Sequence, residues 1–284
     1  MAQNLQLLKR RISTSKNIAQ IAKAMEMISA AKIKKAQAAA TTNNPYAQKI
    51  SRMTSRAIAG LSPKQKKIPL LTLNSSENKL IIAISPDRGL CGSLNTNLNK
   101  KLLEQETKNT KLITLGKKIE LFGAKLDFEY LASYPMGTTL PNYLLVYQLK
   151  NFIVNLIEKN EISEVYLLYA EFKSLFTQTP VVQKLLPFEF DASQDTASVP
   201  TENSILFEPP AEEILVDLLP YYLEVQIYNA LLQAYTSEQA ARMMAMQNAK
   251  NNAKDIAEYL TLVYNKSRQE RITNEILDLA NSQS

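Results

Sequence analysis

The two ends of the chain carry apolar residues at helical spacing, and the middle carries them in short β-branched runs. Near the start, Ile18, Ile21, Met25 and Ile28 advance by alternating steps of three and four residues. Near the end, Ala249, Ala253, Ile256, Leu260 and Val263 do the same. This spacing marks the narrow seam of a coiled coil. The first proline is Pro45 and the first glycine Gly60, while no glycine follows Gly137 and no proline follows Pro220. Both ends thus avoid the residues most costly to a helix. The pattern predicts a helix from about Leu5 to about Ala59, bent at Pro45, and a second from about Pro220 to about Ala280. At ~1.5 Å per residue each would be roughly 80–90 Å long. Such helices must project or lie against one another, and an antiparallel pair is the natural solution.

The middle alternates strand and helix. Lys79–Ser85, Lys111–Leu115, Glu164–Phe172 and Pro180–Leu186 read as strands, and Asn95–Lys108 and Asn142–Lys159 as helices. That order predicts a largely parallel, Rossmann-like α/β domain with helices packed on its sheet. Residues 191–204 are polar and aperiodic, a linker. Glu208-Pro209-Pro210 followed by Glu212 and Glu213 reads as a helix start, with acids at the positive end of the dipole, and Pro220 ends or restarts that helix. The predicted organisation is a coiled-coil helix over 1–60, an α/β domain over 75–190 and a second coiled-coil helix over 208–284. The fold class is α/β with long terminal helices.

Charge sharpens this picture. Residues 1–67 hold fourteen Lys/Arg against one acid, Glu26, a net charge of +13. Residues 208–284 hold six Lys/Arg against eleven acids, a net charge of −5. Opposite charges on the two arms favour their pairing. No apolar run approaches the roughly 18 residues that span a bilayer. The first residues, MAQNLQLLKRR, contain no apolar signal core, which predicts a cytoplasmic protein, most simply a bacterial one.

Candidate chemistry is sparse. The sequence has no histidine and a single cysteine, Cys91. Ser-His-Asp, Cys-His and His-based metal sites are excluded, and so is an intrachain disulfide. Carboxylate or lysine chemistry remains open. Asp87-Arg88-Gly89-Leu90-Cys91-Gly92 lies between a strand and a helix, where phosphate-binding loops sit. It matches neither standard phosphate-loop pattern. It reads better as a tight turn in which Gly89 and Gly92 take unusual dihedrals, with Cys91 a small buried hydrophobe. Lys32, Lys34 and Lys35 form a basic cluster, but no aromatic residue occurs in 1–45. A solvated face or an acidic protein partner suits this cluster better than nucleic acid. Met25, Met27, Met243, Met244 and Met246 give both arms thioether surface, and Arg268-Gln269-Glu270-Arg271 interrupts the second seam with long polar groups.

Three stretches carry a resemblance. ISTSKNIAQIAKAMEMISAAKIKKAQ, DRGLCGSLNTN and SEQAARMMAMQNAKNNAKDIAEYLTLVYNKSRQERITNEI, in this order and spacing, resemble the γ subunits of F-type ATP synthases. The likeness runs nearly end to end and is weakest from about 120 to 205. It implies a non-catalytic rotor, the central stalk of a membrane-associated complex for ATP synthesis and proton transport. Its implied partners are the α and β subunits of the catalytic head, the ε subunit and the membrane c-ring. It implies no cofactor of its own, no nucleic acid, one copy per complex, and a place on the cytoplasmic face of the plasma membrane. Met25, in KAMEM, matches the part of the shaft that touches β. Arg242, in AARM, and Arg268 and Gln269, in NKSRQ, match further stretches facing β. Phe207 and Glu208 match the start of the C-terminal arm at the foot, near the ring and ε. There are departures: Pro86 replaces the usual Ser, Lys250 the usual small Thr, and Ser282-Gln283-Ser284 stands where Gly-Ala is common. Cys91 being single, the paired-cysteine regulation of chloroplast forms is not expected. Three alternatives share some of these features: a free coiled-coil adaptor, a nucleotide-binding enzyme using the Asp87–Gly92 loop, and a nucleic-acid binder using the basic arm.

Overall fold

A computed structural model describes residues 2–61, 68, 70–72, 74–188 and 208–281. The expected linker at 191–204 lies outside them. In chain order the elements are α1 (Ala2–Ala59), β1 (Lys79–Ile84), α2 (Leu94–Leu103), β2 (Thr110–Leu115), α3 (Lys117–Gly123), β3 (Glu129–Tyr134), α4 (Tyr143–Glu158), β4 (Glu164–Phe172), β5 (Gln178–Leu186) and α5 (Ala211–Asn281). The chain forms two compact units, and α1 and α5 contribute residues to both.

The first unit comprises Met1–Ala31 and Arg242–Ser284. Here α1 and α5 run antiparallel: residues 16–23 share a groove with residues 250–262, and Leu7–Ser15 with Ile256–Leu260. A continuous series of covered positions runs on α1 through Ile12, Ser15, Ala19, Ala22, Glu26 and Ser29, and on α5 through Met246, Lys250, Ala253, Ala257, Leu260 and Tyr264; Leu5, Leu8 and Met25 on α1 and Ala249, Thr261 and Val263 on α5 are partly covered as well. Both series step by four and three, a heptad seam. On α1 its phase corrects the expected one. Ala253 and Leu260 lie in it and Met25, Ala249 and Val263 are partly covered, so the expected α5 series largely holds, but Ile18, Ile21, Ile28 and Ile256 are exposed. Alanine and serine hold the middle layers of the contact at Ser15, Ala19, Ala22, Ser29, Ala253 and Ala257, with Ile12, Met246, Leu260 and Tyr264 as the larger side chains in it.

The second unit, Lys32–Ala241, holds the sheet. Strand order is β3-β2-β1-β4-β5. The first four strands are parallel and β5 is antiparallel to β4. β1 and β2 are covered on both faces, which suits their continuous apolar runs. Two elements, α3 and β3, fall between the expected ones. Gly116 makes the turn into α3 at φ +100°, and a Cβ there would lie 2.0 Å from the Ser85 carbonyl oxygen, so only glycine fits.

In this unit α5 is fastened to its neighbours by polar side chains. Ser237 Oγ donates to the Ala170 carbonyl at 2.8 Å, and the Phe172 N–H donates to Gln233 Oε1 at 3.1 Å. Glu224 is buried, takes an ion pair from Lys150 of α4 at 3.0 Å, and accepts the Tyr143 hydroxyl at 2.6 Å. Burial of that hydroxyl, its hydrogen bond to Glu224 and the carboxylate's charge raise the Tyr143 pKa above the usual tyrosine range.

Neither Pro45 nor Pro220 ends its helix, and the expected end or restart at Pro220 is replaced by one continuous helix. Each proline removes one helical N–H, so the i−4 carbonyl loses its donor. The neighbouring residues bridge the two helices at this level. Tyr46 and Tyr221 meet edge to face with centroids 6.1 Å apart, and Asn43 Nδ2 donates to Asn229 Oδ1 at 2.8 Å.

The Lys150–Glu224 pair generates a prediction. Both side chains are mostly buried, 13% and 9% exposed. Lys150→Met strands a buried carboxylate and loses about 3 kcal/mol of stability. Lys150→Met with Glu224→Leu recovers most of that loss. Urea unfolding of the two variants checks this, and equal midpoints would refute it.

Candidate functional site

Two places in the molecule could carry function: the end of the sheet where nucleotide-binding α/β folds hold their ligand, and the outer faces of the helical unit.

The sheet reverses its strand order between β1 and β4, a topological switch point. Ligands of doubly wound sheets bind beside the carboxyl ends of such strands. Here that crevice is filled. A cavity of about 10 Å³ remains, lined by Ser85, Pro86, Leu98, Met136, Ala234 and Glu238 among others. It has room for about one water, against the roughly 300 Å³ or more of a ligand pocket. Residues of α5 close it from above.

The Asp87–Gly92 loop is turned to structural use. The Lys117 N–H donates to Asp87 Oδ1 at 3.0 Å, and the Gly137 N–H donates to Asp87 Oδ2 at 2.7 Å. One carboxylate therefore fills the anion position at the start of α3 and holds the turn after β3. The adjacent Ser85 Oγ accepts the Ile119 N–H at 3.0 Å. Positive φ occurs at Gly92, as expected, and at Leu90 rather than Gly89. Cys91 is buried. Among the described residues no group of three or more His, Cys, Asp or Glu side chains is arranged to hold a metal ion.

The helical unit is different. Outside its small-residue seam stand Ile18, Ile21, Met27, Ile28, Tyr259 and Leu262, exposed by 48%, 61%, 64%, 56%, 66% and 70%. Toward the end of α5, Ile272, Ile276 and Leu277 are exposed as well. Large apolar side chains at this density mark an interaction surface. Sequence periodicity singled out Ile18, Ile21 and Ile28 but assigned them to the wrong contact.

The other expected site residues separate by exposure. Arg268 and Gln269 are exposed, next to the Arg271–Glu275 pair at 2.7 Å. Met25 is half-buried beside the seam. Arg242 is buried, 8% exposed, and offers a partner little surface. Glu208 is exposed, and Phe207 lies outside the described residues. Lys32 of the basic cluster donates to the Thr138 carbonyl at 2.7 Å, whereas Lys34 and Lys35 are exposed.

A Rossmann-like layer with a closed crevice, combined with an antiparallel coiled coil of apolar outer faces, defines a class of α/β coiled-coil proteins. Comparison with known proteins identifies the family. A family model described as ATP synthase matches residues 4–284. The ATP synthase gamma chain of Dehalococcoides mccartyi is 38% identical over 285 residues, covering 97% of this chain and 96% of that one. The gamma chain of Brevibacillus brevis is 35% identical over 293 residues, covering 100% of both. The chain belongs to the ATP synthase gamma chain family. Among solved structures, the Euglena gracilis mitochondrial ATP synthase rotor shares the fold at a TM-score of 0.67 and 21% identity, over 96% of this chain and 100% of that one. A chain from the Tetrahymena thermophila central stalk and c-ring gives 0.58 at 24% identity, over 81% and 99%.

The Asp87 geometry yields a second prediction. Asp87→Ala removes the acceptor of two backbone N–H groups. Amide exchange at Lys117 and Gly137 accelerates, and stability falls by about 2 kcal/mol. Unchanged exchange at both amides would refute the anchoring role.

Proposed function

We propose that this chain is the central-stalk rotor of an F-type, proton-driven ATP synthase. It carries rotation of the membrane c-ring into the catalytic head and performs no chemistry itself. The observation that carries this reading is the coiled coil, whose middle layers are small residues while the large apolar Ile18, Ile21, Ile28, Tyr259 and Leu262 face out. A free two-helix unit would gain by burying its largest apolar side chains. Leaving them outside fits a shaft enclosed by a bearing of other subunits. Apolar and thioether side chains let such a bearing slide without locking into one register.

On this reading the bearing is a ring of α and β subunits, and β holds the reacting nucleotide. Met25, Arg268 and Gln269 meet β, the last two through long donors reaching acidic groups, while Arg242, buried farther back along α5, contributes to this contact only indirectly. Phe207 and Glu208 belong to the foot, where the ε subunit and the c-ring dock. The filled switch-point crevice supports a layer used for docking. The protein is peripheral to the membrane: among the described residues no helix is long and apolar enough to cross one. We place it on the cytoplasmic face.

Co-expression with α and β subunits followed by native mass spectrometry tests this reading. The expected particle contains one copy of this chain per three α–β pairs and hydrolyses ATP only when assembled. Variable stoichiometry, or no assembly, would favour a free coiled-coil adaptor.

A sharper prediction concerns Arg268 and Gln269. Because both are exposed, Arg268→Glu with Gln269→Leu leaves the helical content of the isolated chain unchanged. Assembly with the α–β ring weakens about tenfold, ~1.4 kcal/mol. Loss of helical circular dichroism with assembly intact would contradict it.

A further inference from the structure

The seam of the helical unit contains one charged layer. Glu26 and Lys250 both occupy seam positions of the four-and-three series, where the neighbouring layers hold Ala22, Ser29, Met246 and Ala253. Lys250 Nζ lies 2.7 Å from Glu26 Oε2, with the two side chains 19% and 22% exposed. Glu26 is the only acid among residues 1–67. The arm's single negative charge therefore stands in the seam, facing a lysine on the opposite helix.

Small side chains bury little area and interlock weakly. Shape alone distinguishes poorly between neighbouring registers of an alanine-rich pair. A polar group at a single seam position does distinguish them, since only one alignment satisfies it. The consequences of a slip follow from the antiparallel order. A slip of one helical turn sets Glu26 beside Met246 or Ala253, and Lys250 beside Ala22 or Ser29. Either way both charges lose their partner within the contact. Lys250, Lys254, Lys16 and Lys23 also line one groove. Glu258 lines the same groove, so without Glu26 these four lysines face a single carboxylate there.

We propose that Glu26 and Lys250 form the register lock of the coiled coil in this unit: there, beside the Asn43–Asn229 and Tyr46–Tyr221 contacts of the sheet unit, they select one alignment of α5 on α1 and so hold the outer apolar side chains in one arrangement. The inference concerns the isolated chain and does not depend on the rotor reading.

The test uses the full chain with Cys91→Ala and spin labels at Gln20→Cys and Glu270→Cys, both exposed and offset along the helices. Pulsed electron–electron resonance reports their separation. The unaltered seam gives one distance. Glu26→Leu with Lys250→Leu keeps the pair helical and apolar, and is expected to give at least two populations differing by about 5 Å, one helical turn. Glu26→Lys alone disturbs the distance or melts the pair at lower temperature, and Glu26→Lys with Lys250→Glu restores both distance and melting temperature. A single unchanged distance in the Leu–Leu variant, or a failure of the reversed pair to restore what Glu26→Lys disturbs, would overturn the proposal.

Discussion

The close approach of two helix backbones across small side chains is the constraint on which the helical unit depends. Ala19, Ala22, Ala253 and Ala257 are buried in the contact. Two consequences follow. The small side chains of its middle layers interlock weakly, and a charged layer at Glu26 and Lys250 adds specificity of alignment. The larger apolar residues are displaced to the flanks, where they form an exposed surface. An enclosed shaft needs both properties: a thin, continuous helical pair, and an outer face that another protein can grip without side-chain interlocking.

The sheet unit solves a different problem. It must hold α5 firmly, and apolar packing is supplemented there by directional contacts. Ser237 and Gln233 bond to backbone groups of β4, and Glu224 joins Lys150 and Tyr143 of α4. Each contact is satisfied at one angular setting of α5, so the helix resists turning against the layer. The same residues explain why this doubly wound sheet keeps no ligand site. α5 covers the strand ends, and Asp87 supplies internally the negative charge that a phosphate would otherwise bring to the start of α3.

Much of this was legible in the sequence. The Gly- and Pro-poor ends specify long helices, and β4 runs over Glu164–Phe172 as its β-branched and aromatic pattern predicts. The seam phase was legible on α5, where Ala249, Ala253, Leu260 and Val263 are covered, but not on α1, where Ile18, Ile21 and Ile28 face outward. Ile18 is exposed while its neighbour Ala19 is buried. α3 has seven residues, too few to display a helical period. β3 is an edge strand and partly exposed, so its alternation is weak. Pro220 sits inside a continuous helix because tertiary contacts, including Tyr221 against Tyr46, outweigh the lost hydrogen bond. Of the site residues, exposure at Arg268 and Gln269 agrees with a contact role. Nothing in the sequence signals that Arg242 is buried.

The central claim is that the chain turns inside a ring. Single-molecule observation tests it most directly: immobilise the assembled α–β ring, attach a bead to the exposed tip of the β4–β5 hairpin at Phe176, and add ATP. The account predicts sustained rotation in one direction, at a rate that follows ATP hydrolysis. A bead that stays fixed while the same particles hydrolyse ATP would contradict it.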